Sequence, residues 1–383
     1  MSSVFKGVLD TPLLKNFGKF CKEDITDEEK ISAYAAFVGE IYESQLPLSL
    51  LVARLLFEDE NVYIRARAEK SKIKDEVKAA LRHELSVFSE LAALTPEHFR
   101  SELGIAYVSP FGVKEINLPE LYESHARNVR KRGYGIFSSH VMFRLSDEGE
   151  IEPVISADRT SLSDFVGYEA ERERVIENTL AHLRGGPSLN TLLCGNAGTG
   201  KSSTVKAIAN KFFSKGLRLI ELRKDQLSRL PFVMGRISRN PLKFIIFIDD
   251  LSFTASDDNF SMLKAALEGS ASAKADNAVI YATSNRRHII KESFSDRTGD
   301  DVHRNDTLEE TLSLSERFGL VVYFEKPTKK LYLDIVRELA KRAGVEIDGS
   351  ELEIKAEAFA LRRGSRSARC AEQFVDTLLL SKP

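Results

Sequence analysis

Long apolar runs are missing from this chain of 383 residues. The most apolar early stretch, Leu46–Phe57, is interrupted by Arg54 and is too short to span a bilayer. Met1–Phe20 has no long apolar core, so no secretory leader is expected there. Cysteine is scarce as well. Cys21, Cys194 and Cys370 are odd in number and far apart, with no Cys-x-x-Cys or Cys/His spacing. This argues against a disulfide framework and against a zinc site. Three lone thiols suit a reducing cytoplasm, where the protein is expected to work. An excess of charge of one sign is the third absence. Lys plus Arg number 55 against 57 Asp plus Glu, a formal net charge of -2. Bulk charge therefore advertises neither nucleic acid nor a membrane surface as a partner. Internal repeats and low-complexity tracts are absent too.

What is present is an ordinary globular composition, with 43% hydrophobic residues, enough for buried cores. The length predicts two or three domains. Helical periodicity marks Ile31–Glu43, Leu48–Phe57 and Lys72–Ala93. Thr95-Pro96-Glu97 has the form of a helix start. Val141–Leu145 and Ile151–Ile155 read as two short strands around a turn. Residues 1–160 are thus expected to form a mostly helical accessory domain without a chemical motif.

Residues 161–325 alternate strand and helix. Thr191–Cys194, Leu217–Leu222, Phe244–Ile248, Ala278–Thr283 and Leu320–Phe324 are short, apolar and rich in β-branched or aromatic residues. Strands covered on both faces of a parallel sheet read this way. With helices between them, for example Lys201–Phe213 and Asn259–Glu268, the pattern predicts an α/β layer fold with right-handed crossovers. Residues 326–383 read as purely helical. Thr328 caps Lys329–Ala343, Gly344 ends it, and Glu351–Arg363 and Ser367–Leu380 follow.

The apolar strand Thr191–Cys194 runs into Gly195-Asn196-Ala197-Gly198-Thr199-Gly200-Lys201-Ser202 and then a helix. This is G-x-x-x-x-G-K-[ST] in its required strand–loop–helix setting. A triphosphate presents several negative charges and many acceptor oxygens. Main-chain N–H groups of a tight loop and a helix N-terminus meet them at close range. Gly195, Gly198 and Gly200 permit the unusual backbone angles. Asn196, Ala197, Thr199 and Ser203 complete the set expected around the nucleotide. Lys201 is expected at the β- and γ-phosphates, and the Ser202 hydroxyl at Mg²⁺.

Phe244–Ile248 delivers Asp249-Asp250 at its C-terminal end, where open parallel sheets bind ligands. Asp249 is the candidate for Mg²⁺ through its coordinated water, and Asp250 for polarising the attacking water. A bare capping role for the two acids is the alternative. Asn285 follows the strand Ala278–Thr283, with an amide able to orient water or meet the γ-phosphate; an ordinary turn Asn is the competing reading. Arg286 and Arg287 receive no catalytic role. Arg317 precedes the last strand and is placed to enter a neighbour's site as an arginine finger; a surface ion pair is its alternative. Arg366 opens the last helical segment and is the first choice to reach the γ-phosphate from above, with Arg369, three residues on, the second.

The ordered set resembles the AAA+ ATPases. Leu162–Glu169, including Val166 and Gly167, resembles their adenine-side box; Gly195–Ser202 their Walker A; Ile245–Asp250 their Walker B; Asn285 their sensor 1; Arg317 their finger; and Arg366 their sensor 2. A closer resemblance is to a bacterial family catalogued as domain of unknown function eight-fifteen. Ile248–Phe253, Lys264–Gly269, Ile280–His288, Leu314–Gly319 and Gly364–Ser367 carry it. The resemblance implies a three-layer P-loop NTPase core with a five-stranded parallel sheet in the order 5-1-4-3-2, a helical N-terminal domain and a helical lid. It implies Mg²⁺-dependent ATP binding and hydrolysis between subunits of a homo-oligomeric ring or spiral, but it supplies no substrate; remodelling or loading of a protein or nucleoprotein partner is the expectation here. One departure stands out. AAA+ ATPases mostly end Walker B in Asp-Glu, whereas this chain has Asp249-Asp250, one methylene shorter. Displacement of about 1 Å at such a group costs on the order of a hundredfold in rate. A slow, nucleotide-gated binding module is therefore the alternative. A DNA loader is a variant of either reading, permitted weakly by the double Arg286-Arg287 and the basic run Arg127–Arg132.

Overall fold

The computed structural model describes residues 2–251, 263–264, 267, 275–285 and 317–380. The expected helix Asn259–Glu268, Arg286, Arg287 and the segment 314–316 lie wholly or largely outside the described residues. The chain divides into two compact units. One is Met1–His140 with Asn240–Leu242, and the other is Val141–Arg239 with Lys243–Pro383. No helix among the described residues is long and apolar enough to cross a membrane.

The first unit is helical. Its main helices are α1 (Pro12–Phe20), α2 (Asp27–Ser44), α3 (Leu48–Glu58), α4 (Asp75–Ala92) and α5 (Leu118–Arg127). Pro12 opens α1, and a reciprocal Thr26–Glu29 cap opens α2. The core gathers rings around Phe99, which lies 4.9–6.3 Å from Phe17, Phe20, Tyr34, Phe37 and Phe111. A carboxylate is also built in. Glu84 on α4 accepts the N–H groups of Ser3 at 2.7 Å and of Val4 and Phe5 at 3.0 Å, and the hydroxyls of Ser2 and Ser3. It thereby holds the start of the chain against α4. Burial pushes its pKa up, but these hydrogen bonds outweigh burial and hold it at about 2.

The second unit is built on a sheet of seven strands: β1 (Met142–Leu145), β2 (Ile151–Pro153), β3 (Thr191–Gly195), β4 (Leu217–Leu222), β5 (Lys243–Ile248), β6 (Ala278–Ser284) and β7 (Leu320–Phe324). The spatial order is β2-β1-β4-β5-β6-β3-β7. This corrects the expected five-stranded, all-parallel sheet. The five strands foreseen, β7-β3-β6-β5-β4, are contiguous and parallel within it, but β1 adds in parallel beside β4 and β2 pairs antiparallel to β1. Those two strands were placed with residues 1–160 on sequence grounds. They pair instead into the sheet of the second unit, Met142 beside Leu219 and Arg144 beside Glu221. The edge of β4 would otherwise present unpaired backbone groups, and β1 covers it.

Residues Phe244 to Ile248 of β5 are fully buried, as a central parallel strand requires. Helices α6 (Glu169–Arg184) and α7 (Lys201–Phe212) add Val175, Val205, Ile208 and Phe212 to the same core as Leu193, Leu219, Phe247 and Tyr281. The helix α8 (Leu230–Ile237) precedes β5. Beyond β7 come α9 (Lys329–Arg342), α10 (Gly349–Arg363) and α11 (Ala368–Leu380). They pack on one another through Tyr332, Val336, Leu352, Ala356 and Phe374. Thr328 caps α9 through the N–H of Leu331, and Gly364 ends α10 in the left-handed conformation.

Candidate functional site

The loop after β3 has the backbone its glycines permit. Gly195, Gly198 and Gly200 have φ of 141°, 75° and 86°. At Gly195 a Cβ would stand 1.9 Å from the carbonyl oxygen of Phe324 on β7, so no side chain fits. At Gly198 it would press on Ser367 and Arg369 at 3.1 Å. Asn196 and Ala197 are exposed at the loop's crest, while Thr199 is buried and bonds the carbonyl of Asn196 at 2.9 Å. Gly200 then caps α7, so the helix N-terminus and its free N–H groups face the loop.

Lys201 is only 5% exposed. Its Nζ donates to the carbonyls of Gly195 at 2.9 Å and Asn196 at 2.8 Å, and to Asn285 Oδ1 at 3.0 Å. Burial holds its pKa below the usual lysine value; Cys194, Asp249 and Asp250 oppose that shift, and Arg369 adds to it. Ser202 donates its hydroxyl to Asp249 Oδ1 at 2.6 Å. A hydroxyl and a carboxylate meeting beside a phosphate-type loop are hard oxygen donors, a set that suits Mg²⁺.

Asp249 and Asp250 leave the end of β5, and Asn285 follows the end of β6. Asn285 Nδ2 donates to Asp250 Oδ1 at 2.7 Å. Lys201, Asn285 and Asp250 therefore form a continuous chain of hydrogen bonds, with Ser202 and Asp249 beside it. Thr283 joins the two acids. Its hydroxyl donates to Asp249 Oδ1 and accepts the N–H of Asp250 at 2.9 Å. Sequence reasoning passed over Thr283. Its place at the C-terminal end of an apolar strand, where open parallel sheets bind ligands, was the available signal.

The opposite wall is the segment before α6. Gly167 has φ of 74°, and a Cβ there would run into Leu331 of α9 at 2.4 Å. Tyr168 is left-handed at φ 58°, its hydroxyl bonded to the carbonyl of Glu325 and its ring 5.4 Å from Phe324. Arg172 lies over the Phe165 ring at 5.2 Å. Val166, Thr199, Gly200, Ser203, Ile335 and Arg369 line one pocket between this segment, the loop and the C-terminal helices. Its apolar side suits a base and its loop side suits phosphates.

Two arginines fall outside this constellation. Arg366 does not reach the loop: its guanidinium is held by Glu357 of α10, at 3.0 and 2.8 Å. Helix α11 starts only at Ala368, so Arg366 lies before it and does not share a helix face with Arg369. Arg369, the second choice, is the one at the site, with its main-chain N–H 3.4 Å from the carbonyl of Gly198. Arg317 stands three residues before β7, whose first residue pairs with Thr191 at the start of β3. The loop follows the other end of β3, roughly 16 Å away at the usual rise per strand residue.

A mostly parallel sheet, a glycine loop opening a helix, paired acids ending β5, one strand removed from β3, and C-terminal helices beside the loop define a P-loop nucleotide-binding fold of the AAA+ class. The chain belongs to the family described as Protein of unknown function (DUF815), whose model matches residues 138–381. No curated protein matches the chain. Among solved structures, the Holliday junction branch migration motor RuvB of Thermotoga maritima is 14% identical. The match has a TM-score of 0.36 and covers 57% of this chain and 71% of that one. A variant of the same RuvB is 15% identical over the same shares, also with a TM-score of 0.36.

Proposed function

We propose that the protein binds Mg²⁺-ATP on Gly195–Ser202 and hydrolyses it between the subunits of a homo-oligomer, to remodel or load a protein or nucleoprotein partner. The observation that carries this reading is the convergence of Lys201, Ser202, Asp249, Asp250 and Asn285 from three strand ends into adjoining hydrogen bonds. A purely structural loop has no use for such a set.

In this reading the main-chain N–H groups of residues 196–203 clasp the phosphates, and Val166 and Gly167 face the base. Lys201 exchanges its carbonyl partners for β- and γ-oxygens. Ser202 and Asp249 would hold Mg²⁺, which would supply neutralisation of the phosphate charge. Asp250 accepts a proton from a water positioned with Asn285. The water oxygen bonds to the γ-phosphorus, the bond from that phosphorus to the β,γ-bridging oxygen breaks, and ADP and phosphate leave. The Asp250 proton then passes to solvent. Arg369 takes the place expected of Arg366, bringing positive charge from the lid. Arg317, at the opposite end of the paired strands β3 and β7 from its own loop, serves a neighbour's γ-phosphate. The lone thiols fit a cytoplasmic setting.

The test is turnover and oligomer size, measured with and without ATP. Arg317→Ala is expected to keep ATP affinity and lose at least about a hundredfold in rate, since finger arginines contribute on the order of a thousandfold or more. Full activity in a monomeric Arg317→Ala protein would defeat the intersubunit scheme. A slower, nucleotide-gated module is the second reading, favoured by the ties of Lys201 to the carbonyls of its own loop, which ATP must break. Wild-type turnover no greater than that of Lys201→Ala, with ATP still bound by the wild type, would select it.

A further inference from the structure

Asp250 is left-handed, with φ of 51°. That region disfavours most side chains, because Cβ approaches the following carbonyl. Asp and Asn are several-fold enriched there, since a short polar side chain finds local hydrogen bonds. Glu, with an extra methylene, has no such advantage. The shorter acid at this position thus has a backbone reason.

The turn is held from β6. The N–H of Asp250 is shared between Thr283 Oγ1 at 2.9 Å and Asp249 Oδ1 at 3.1 Å. The next N–H, of Leu251, reaches the carbonyl of Thr283 at 2.7 Å. Thr283 is 2% exposed, so water does not replace it. Its hydroxyl has one proton, which goes to Asp249, leaving a lone pair for Asp250. Both acids are therefore fixed through one oxygen atom, and Asn285 fixes the Asp250 carboxylate from the other side at 2.7 Å.

We propose that Thr283 is a positioning residue that clamps the left-handed turn at Asp250, and that this turn, rather than side-chain length, aims the Asp250 carboxylate. The kinetic part rests on the ATP-hydrolysis reading above. Glutamate at residue 250 then impairs the site instead of restoring a longer reach.

The experiment compares ATP turnover, ATP affinity and melting temperature for wild type, Thr283→Val, Thr283→Ser, Asp250→Glu, Asp250→Asn and Lys201→Ala. Thr283→Val is nearly isosteric and lacks the hydroxyl. Its kcat is expected to fall about ten- to a hundredfold, the scale of a carboxylate displaced by about 1 Å, while ATP affinity changes less than about threefold, on the same reasoning. Thr283→Ser keeps the hydroxyl and should recover most of the lost rate. Asp250→Glu, at an exposed position, should lose at least about tenfold, again from misplacement. Equal turnover in Thr283→Val, or turnover in Asp250→Glu equal to or above wild type, would overturn the clamp while leaving ATP hydrolysis intact. Wild-type turnover no faster than Lys201→Ala would instead sink the hydrolysis reading. The melting temperatures then decide the clamp alone: Asp250→Asn should match wild type, and Asp250→Glu should melt about 2 °C or more lower. Equal melting of the two would overturn it.

Discussion

Single atoms decide most of the site. Gly195 has no room for a methyl group, because the Phe324 carbonyl oxygen would stand 1.9 Å from it. Gly195→Ala is therefore expected to destabilise the sheet by more than about 3 kcal/mol, through overpacking at a left-handed position. Urea unfolding would show it as a lower midpoint. Glu84 makes the equivalent case in the first unit. Its folded pKa of about 2 lies below the ordinary value of 4.5. A depressed carboxylate adds stability that is present above its unfolded pKa and is lost as pH falls through its folded one. Stability should decline between about pH 4.5 and 2 for this reason. In Glu84→Gln that part of the decline should be gone, and stability at pH 7 should be lower by on the order of 2 kcal/mol. Denaturant unfolding at several pH values measures both.

At the scale of elements, the end of α10 and the start of α11 set which arginine serves the pocket. Arg369→Ala should weaken ATP binding several-fold, through loss of one positive charge near the phosphates. Arg366→Ala should leave affinity unchanged and cost the lid no more than about 1 kcal/mol, because its pair with Glu357 is partly solvated. Calorimetric titration of the two variants separates them. The sequence could not, since the two residues are three apart and the helix start between them is a matter of one or two positions. Local chemistry was readable: the glycine spacing of 195–200, the lysine and serine after it, and two acids ending an apolar run are contiguous patterns with physical causes. Nonlocal pairing was not. Nothing in Met142–Leu145 announces that it will lie beside Leu217–Leu222, so the hairpin was grouped with its sequence neighbours. The left-handed turn at Asp250 and the reach of Thr283 to it also arise only when β5 and β6 are side by side.

On the scale of the whole molecule, the phosphate loop, strand-end acids and lid belong to one compact unit, with a separate helical unit ahead of it. The loop and Arg317 stand at opposite ends of the adjacent strands β3 and β7, and on the proposed reading Arg317 meets the phosphate of a second copy. Everything in this account depends on the backbone of residues 195–202 and the Lys201 ammonium gripping a triphosphate. Titration of the purified protein with ATP in excess Mg²⁺ tests that grip directly. Saturable one-to-one binding by the wild type, weakened at least about a hundredfold in Lys201→Ala, where a buried charge-to-phosphate contact worth about 3 kcal/mol is lost, is the result predicted. No binding by the wild type, or equal affinity in the Lys201→Ala protein, would contradict it.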